Sequence, residues 1–543
     1  MSEPASLARP RRLRELLPLL LALLVVLSVS LRLADRKNGM FIDEIYTYGL
    51  SNSHYAPFLT DLAGGDLEGA TLTRQQLLDY VTVGDEASLP DLGSVYDNQV
   101  NDVHPPLYYW LFHLASCLTP GIFSKWTGLA LDGLLYLLTL LALYRLVLQL
   151  FGSRLNAAAA VLLYGLSALG LSTMLMIRMY VLMTLFTVLL ALWIALLLER
   201  ERAIWYLLIG LTVFLGLLTQ YYFVFYAFFV CAATVFSFLA RRQWKPLFRF
   251  ALSAFAGVGL MLLVFPACID HLTADKLVSG GNALEQLSVV SQYRDRLLFF
   301  FHETVHGMKA AVLAALGLAA LLLLFCKRLL KAGREHPLPW RSLVILLPAF
   351  VTLVVVALIS PVPEQRYIYN LAPLFAASVS FLIALAERSL GDLPRKSLWQ
   401  VGALLVLTAL CLLLAWRQPP KYLYPEDPCY VDSYAGYDAL VAQHGEEPCV
   451  YLTAFFAPPT QDLGELLYFE DVFLTADPDS PALDEYLAQR DGESCVVYID
   501  VSKVWSSGFD PEQMLPALIA STDYTSFEPL YENGLSVTYL LRK

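Results

Sequence analysis

Charge is what this sequence most lacks. Asp, Glu, Lys and Arg make up 16% of its 543 residues and hydrophobic residues 57%, with a mean hydropathy of +0.57. Soluble globular chains carry about 25% charged residues, so the shortfall excludes that class and leaves a polytopic membrane protein. Cysteine is also sparse. Of eight cysteines, three near the C-terminus (Cys429, Cys449, Cys495) lack zinc-ligand spacing and leave open one disulfide or none. The other five sit in or beside apolar runs, where packing accounts for them. Basic residues are nearly missing from 418–543, which holds five Lys/Arg against 22 Asp/Glu, a net −17 against +6 for the remainder. That asymmetry marks residues 418–543 as a separate, acidic, soluble domain. With an overall charge of −11, no nucleic-acid partner is expected.

What the chain has in quantity is long apolar runs. Crossing a hydrocarbon core of roughly 30 Å takes about 20 helical residues, and runs that can do so lie at 13–34, 126–150, 156–177, 179–198, 203–219, 221–240, 248–269, 308–326, 342–360, 367–386 and 399–416. About eleven transmembrane helices are therefore expected. Cations cluster before the first run (Arg9, Arg11, Arg12, Arg14) and at Arg145/Arg154, Arg200/Arg202, Arg241/Arg242/Lys245/Arg249, Lys327/Arg328/Lys331/Arg334/Arg341 and Arg388/Arg395/Lys396. With this count all the clusters share one side, so the positive-inside rule places the N-terminus in the cytoplasm and the tail outside the cell membrane. The apolar segment 105–119 is short and interrupted by His113, and reads as a helix at or dipping into the outer interface. If it crossed, every later basic cluster would face outward. The first run could instead be a signal peptide, but its apolar stretch is long for one and lacks a small-residue exit.

The predicted organisation is a transmembrane module at 1–417, containing a long first outer loop at 35–125, followed by the domain at 418–543. A loop of that length implies a site or a disordered segment, and Leu72–Tyr80 within it has helix-like spacing. The tail reads as small α/β. Strand-like runs at 449–456, 471–475, 495–500 and 535–541 alternate with helix-like 481–490 and 511–521, and no catalytic motif is evident.

The topology gathers polar residues at the outer interface. Asp43 and Glu44 directly follow the first span, Asp102 and His104 stand in Asn101-Asp-Val-His-Pro-Pro-Leu-Tyr-Tyr109, Arg178 and Tyr180 in Arg178-Met-Tyr180, Gln220 and Tyr221 in Thr219-Gln-Tyr-Tyr222, and Glu364 and Arg366 before the tenth span. Each has a plain explanation alone: a solvated loop start for the acidic pair, a helix cap for His104, snorkelling for the arginines, interfacial aromatics for the tyrosines. Together they suggest a general base at a membrane surface, where burial makes a carboxylate expensive to ionise.

These motifs resemble the family-39-type membrane glycosyltransferases of the GT-C superfamily, whose relatives include protein O-mannosyltransferases and the aminoarabinose transferase of lipid A. The resemblance covers about residues 10–390. It implies a GT-C-like fold and transfer of a hexosyl or pentosyl group from a polyprenyl-phosphate donor to a lipid, glycan or protein acceptor at the outer face, with inversion. By motif, Asp43 matches the acidic residue proposed as general base and Glu44 is its neighbour. Arg366 and Arg178 would hold the donor phosphate, and His104 stands where relatives place a His or Lys near it. Tyr180, Gln220 and Tyr221 would line the substrate site. Many relatives carry an acidic residue just before Arg-Met-Tyr, whereas this chain has Met174-Leu-Met-Ile177, leaving Asp102 as the candidate second catalytic carboxylate. No metal is assigned, although Asp43, Asp102 and His104 could hold a divalent cation. A transporter or lipid flippase is the alternative. It would be expected to show repeated halves and charges at the midplane, and the span interiors here are almost free of charge. A non-catalytic assembly protein would not need eleven spans.

Overall fold

Inside a bilayer the backbone must satisfy its own hydrogen bonds, and each of the eleven apolar runs carries helix. The computed structural model describes residues 9–84, 90–273, 289–324, 340–360, 362–389, 396–423, 442–490, 492–502, 508–532 and 535–543. Cys429, the basic residues 327–334 and Arg395 fall outside these. Among the described residues eight helices have the length and composition to cross a membrane, or ten if each of two bent pairs is one span. The chain is thus a polytopic α-helical membrane protein.

Three of the expected spans take a different form. The run at 156–177 is two helices, Arg154–Gly165 and Ala168–Leu175, bent by 63°. Ser167 makes the break: its hydroxyl donates to the Tyr164 carbonyl at 2.7 Å and accepts the Gly170 N–H at 3.0 Å, capping the second helix. Residues 290–307, expected as loop, are helical and meet Lys309–Leu324 at 85°. The run at 203–219 gives a helix of 15 residues, Ala203–Leu217, shorter than the length a straight crossing takes. The segment 105–119 forms a helix of 10 residues, Leu107–Ser116, packed against the helices Ile42–Asn52, Leu92–Asn101 and Lys125–Phe151. His113 belongs to that packing, because its Nε2 accepts the Asp91 N–H at 3.0 Å and its Nδ1 lies 2.7 Å from the Ser51 carbonyl.

The C-terminal region is a six-stranded sheet with helices, and the first loop supplies one strand. The strands are β1 (Ala70–Thr73), β2 (Cys449–Leu452), β3 (Asp471–Thr475), β4 (Ser494–Asp500), β5 (Ser526–Glu532) and β6 (Ser536–Arg542), in the order β1-β3-β2-β4-β6-β5. β2 runs parallel to β3 and β4, and the outer pairs are antiparallel. Of the helix expected at 72–80, the first two residues are strand. Leu72 pairs with Val472, and Thr73 caps a helix that starts at Arg74. A capping box fixes this start: the Thr73 hydroxyl accepts the Gln76 N–H at 3.2 Å and the Gln76 side chain accepts the Thr73 N–H at 2.9 Å.

Both faces of the sheet are covered. Tyr451, Val472, Val496 and Tyr498 join the core that continues into the first loop and the helical bundle, while Val450, Phe473, Val497 and Ile499 pack against helices Pro481–Ala488 and Pro511–Ser521. Cys449 is in register with Val496, so Cys495, one residue away, points to the opposite face. Both are buried free thiols, which rules out a bridge between them.

Further links tie the first loop to the tail. Arg74 donates through Nε to the Phe469 carbonyl at 2.9 Å and through Nη2 to the Tyr468 carbonyl at 2.5 Å. Glu68 accepts from the Thr475 hydroxyl and, at 2.7 Å, from the Ala476 N–H. Helix Ile42–Asn52 packs on the tail helix Ala457–Gln461 and, on its other side, on the loop helices. A Cβ on Gly49 would lie 2.1 Å from the Tyr80 ring, so only glycine allows that ring to rest on the helix backbone.

Candidate active site

Asp43 and Glu44 open the helix Ile42–Asn52, and successive helical residues point about 100° apart. The pair is therefore split. Glu44 turns inward and is fully buried, with Lys37 Nζ and the Phe41 N–H on Oε2 at 2.9 and 2.6 Å and the Ile177 N–H on Oε1 at 2.8 Å. Every oxygen is engaged. The expectation that Glu44 takes part in the chemistry does not match this place, because the carboxylate is enclosed and both of its oxygens are bonded to donors of the protein itself. What Glu44 does hold is the backbone of the break that carries Arg178.

Asp43 turns toward two arginines. Arg366 Nη1 lies 2.5 Å from its Oδ2 and Arg178 Nη2 3.9 Å from its Oδ1, while Arg178 Nη1 also donates to the Asp43 carbonyl at 2.9 Å. The Asp43 side chain is 20% exposed, Arg366 16% and Arg178 5%. Both arginines come from interruptions in apolar helices: Arg178 from residues 176–179, between Ala168–Leu175 and Tyr180–Glu199, and Arg366 from the 3₁₀ turn Gln365–Leu371. The first interruption is held in place from behind, since a Cβ on Gly128 would sit 2.2 Å from the Ile177 side chain. The Nε atoms of Arg178 and Arg366 are buried without hydrogen bonds.

Asp102 and His104 meet beside this group, Oδ2 to Nδ1 at 2.7 Å. Burial raises the Asp43 carboxyl, but Arg366, then Arg178 and His104, outweigh it and hold it below the usual carboxylate range. Asp102 is likewise held low, burial being outweighed by the charge and hydrogen bond of His104 and by Arg178. Both acids and both arginines are thus kept ionised in one small volume. Tyr180 borders it, its ring 6.2 Å from Tyr369. Tyr221 is at the edge, its hydroxyl 2.9 Å from His271 Nδ1. Gln220 is buried in the turn between Ala203–Leu217 and Phe223–Ala240, where its N–H bonds the Gly216 carbonyl and its carbonyl accepts the Phe223 N–H, and Glu364 leads into the 3₁₀ turn.

Five neighbours of this site were not singled out by sequence reasoning. Lys37 is buried and also donates to the Tyr422 carbonyl at 2.9 Å. Tyr108 donates at 2.8 Å to Asp132, a fully buried carboxylate whose second oxygen has no hydrogen-bond partner. A carboxylate inside an apolar run was the signal available for it. Tyr367 stacks on Tyr222 at 4.4 Å beneath Arg366. Tyr46, one turn after Asp43, joins an aromatic cluster. A cavity of about 260 Å³ between Lys37, Met40, Ile45, Phe123, Lys125 and Gly464 contains none of the charged cluster and is a separate feature.

Asp43, Asp102 and His104 do not form a metal centre. Arginines occupy the first carboxylate and the other two bond each other. Among the described residues no group of three or more His, Cys, Asp or Glu is placed to hold a metal ion.

The model of the dolichyl-phosphate-mannose-protein mannosyltransferase family matches residues 103–269. The structure of ArnT from Cupriavidus metallidurans bound to undecaprenyl phosphate superposes with a TM-score of 0.50 at 12% identity, covering 96% of this chain and 97% of that one. The fold is that of the GT-C membrane glycosyltransferases. The apo oligosaccharyltransferase of Archaeoglobus fulgidus gives the same TM-score of 0.50 at 12% identity over 96% of this chain and 74% of its own. No curated protein matches by sequence. In this GT-C fold the family match begins at Val103, beside Asp102 and His104, and spans the interruption that bears Arg178. Asp43 and Arg366 lie outside it.

Proposed function

We propose that the chain transfers a sugar from a polyprenyl-phosphate-linked donor to an acceptor hydroxyl at the outer face of the membrane, with inversion. The observation that carries this reading is Asp43 set between Arg366 and Arg178. An inverting transfer is served by a carboxylate that takes the acceptor proton and by cations that meet the departing phosphate. The acceptor oxygen attacks the anomeric carbon and its proton passes to Asp43. The bond from that carbon to the phosphate oxygen breaks, and the negative charge left on the polyprenyl phosphate is met by Arg366 and Arg178, whose Nε donors are unused. Arg366 bonds Asp43, so a donor phosphate competes for that cation and frees the base. Glu44 is a positioning residue, fixing the Ile177 backbone and with it Arg178. His104, steered by Asp102, faces the donor side, and Tyr180, Gln220 and Tyr221 border the substrate.

The 2.7 Å Asp102–His104 pair supports a second reading, in which His104 takes the proton and Asp43 only holds the arginines. Purified protein in lipid nanodiscs, supplied with a panel of polyprenyl-phosphate sugars and acceptors, tests both. The first reading expects transfer that Asp43→Asn abolishes with donor binding retained. Near-normal transfer by Asp43→Asn together with loss in His104→Ala would move the role to His104. Absence of transfer across the panel would favour a transporter.

The side assignment rests on the basic clusters, and the division into a transmembrane module at 1–417 and a domain at 418–543 rests on the acidic excess of the latter. The strand β1 joins the two.

A further inference from the structure

Four aromatic rings form a cluster that begins one helical turn from Asp43, two from the first loop and two from the C-terminal region. Tyr46 lies 6.2 Å from Phe58 and 6.3 Å from Phe456, Phe58 lies 5.1 Å from Phe456, and Phe456 lies 4.5 Å from Phe455, measured between ring centroids. All four residues are half-buried. Tyr46 is three residues after Asp43 on one helix, which places the two on the same face. Its hydroxyl is raised above its ordinary value by burial and, among other influences, by the charges of Asp43 and Asp102.

We propose that these rings form the acceptor subsite, and that the acceptor they take is a saccharide. This deepens the transferase reading and rests on it. A sugar ring presents an apolar C–H face and a rim of hydroxyls. The cluster offers the complement, aromatic rings that reach through Tyr46 to the group of Asp43, Asp102 and Arg178. A sugar lying on Phe456 and Tyr46 directs its edge hydroxyls at Asp43, the group that takes the proton. The polyprenyl chain of the donor is a poor occupant, because it would bring hydrocarbon against three charged groups. The C-terminal region thereby supplies half of the acceptor platform.

The test uses the full chain in nanodiscs and saturation-transfer NMR with methyl glycosides of hexoses and pentoses as probes. Wild type is expected to saturate the ring C–H protons of at least one glycoside. Phe456→Leu keeps apolar volume but removes the ring face, so it should cut that saturation severalfold and raise the acceptor KM about tenfold. Donor KM and the slow hydrolysis of donor by water should not move, and Phe456→Trp should restore binding. A purely structural Phe456 predicts that Leu behaves as wild type, which overturns the platform. So would saturation of a Ser/Thr peptide or a short-chain isoprenyl phosphate that needs Phe456 while no glycoside binds. If glycosides bind in this way but no donor sugar is ever transferred, the transferase reading fails and the platform stands. If transfer occurs and Phe456→Leu is unchanged, the platform alone fails.

Discussion

Replacing Arg366 by alanine removes the closer of the two cations on Asp43 and should change two measurable quantities together. At an effective dielectric of about 20, unit charges about 4 Å apart interact by about 4 kcal/mol. Both side chains are partly exposed, 20% for Asp43 and 16% for Arg366, so solvent screening leaves about half of that, ~2 kcal/mol. In wild type Asp43 is held below the usual carboxylate range, so the acid limb of the kcat/KM profile lies low. In Arg366→Ala the limb should move to higher pH, because the largest charge holding Asp43 low is gone. Donor affinity should fall by roughly tenfold to a hundredfold, the worth of a lost charge-assisted hydrogen bond. Arg366→Lys keeps the charge but loses the planar fork, and should fall between. The assay is transfer against pH in nanodiscs, with undecaprenyl phosphate as a competing probe for donor affinity. An acid limb and a competition constant both unchanged in Arg366→Ala would refute the reasoning.

Asp43→Asn should lower turnover by about 10²–10⁴ with undecaprenyl phosphate binding retained, and a loss under threefold would remove Asp43 as the base. Glu44→Gln leaves the buried Lys37 without its counter-charge and should destabilise the chain by about 3–5 kcal/mol, an effect that Lys37→Met should partly reverse. If Glu44→Gln melts like wild type yet abolishes turnover, the positioning role is wrong. Asp43 and Asp102 are both held low in the folded chain, so the stability they contribute is present above about pH 4 and is lost as pH falls further. Unfolding midpoints measured from pH 6 to pH 3 should show this fall, and a smaller fall in Asp102→Asn. Gly152 follows the helix Lys125–Phe151 on the side assigned to the cytoplasm. An engineered Gly152→Cys in a cysteine-free background should label only after permeabilisation, and labelling in sealed cells would invert the orientation.

Much of this architecture could be read from the sequence because apolar length and cation placement are strong signals. The helices follow the apolar runs, and the strands β2, β3, β4 and β6 fall where β-rich runs were read. The misses have physical causes. Ser167 breaks a helix through a local hydroxyl cap inside an otherwise unbroken apolar run, and a serine there carries no warning. β1 is four residues long and its partner is 400 residues away, so the helical spacing from Leu77 onward absorbed Leu72. Asp43, Asp102, His104, Arg178 and Arg366 were named from motifs and do converge. That Glu44 faces away follows from helix geometry once a helix is placed at 42–52. Lys37 was hidden as one more cation after a span. Tyr46 and Phe456 could not be joined in sequence, because nothing there shows that the tail folds back on the first loop.

The pairing of β1 with β3 also sets a rule of parity. Two strands of one sheet lie on the same side of a membrane, so the chain between Thr73 and Cys449 must cross it an even number of times. Seven of the eight long apolar helices, both bent pairs and the short helix Ala203–Leu217 lie in that interval, and if all cross, the total is even. None of them can be withdrawn singly. If Ala203–Leu217 stayed on one side, a second segment would have to stay with it, or β1 and β3 would end on opposite sides of the bilayer.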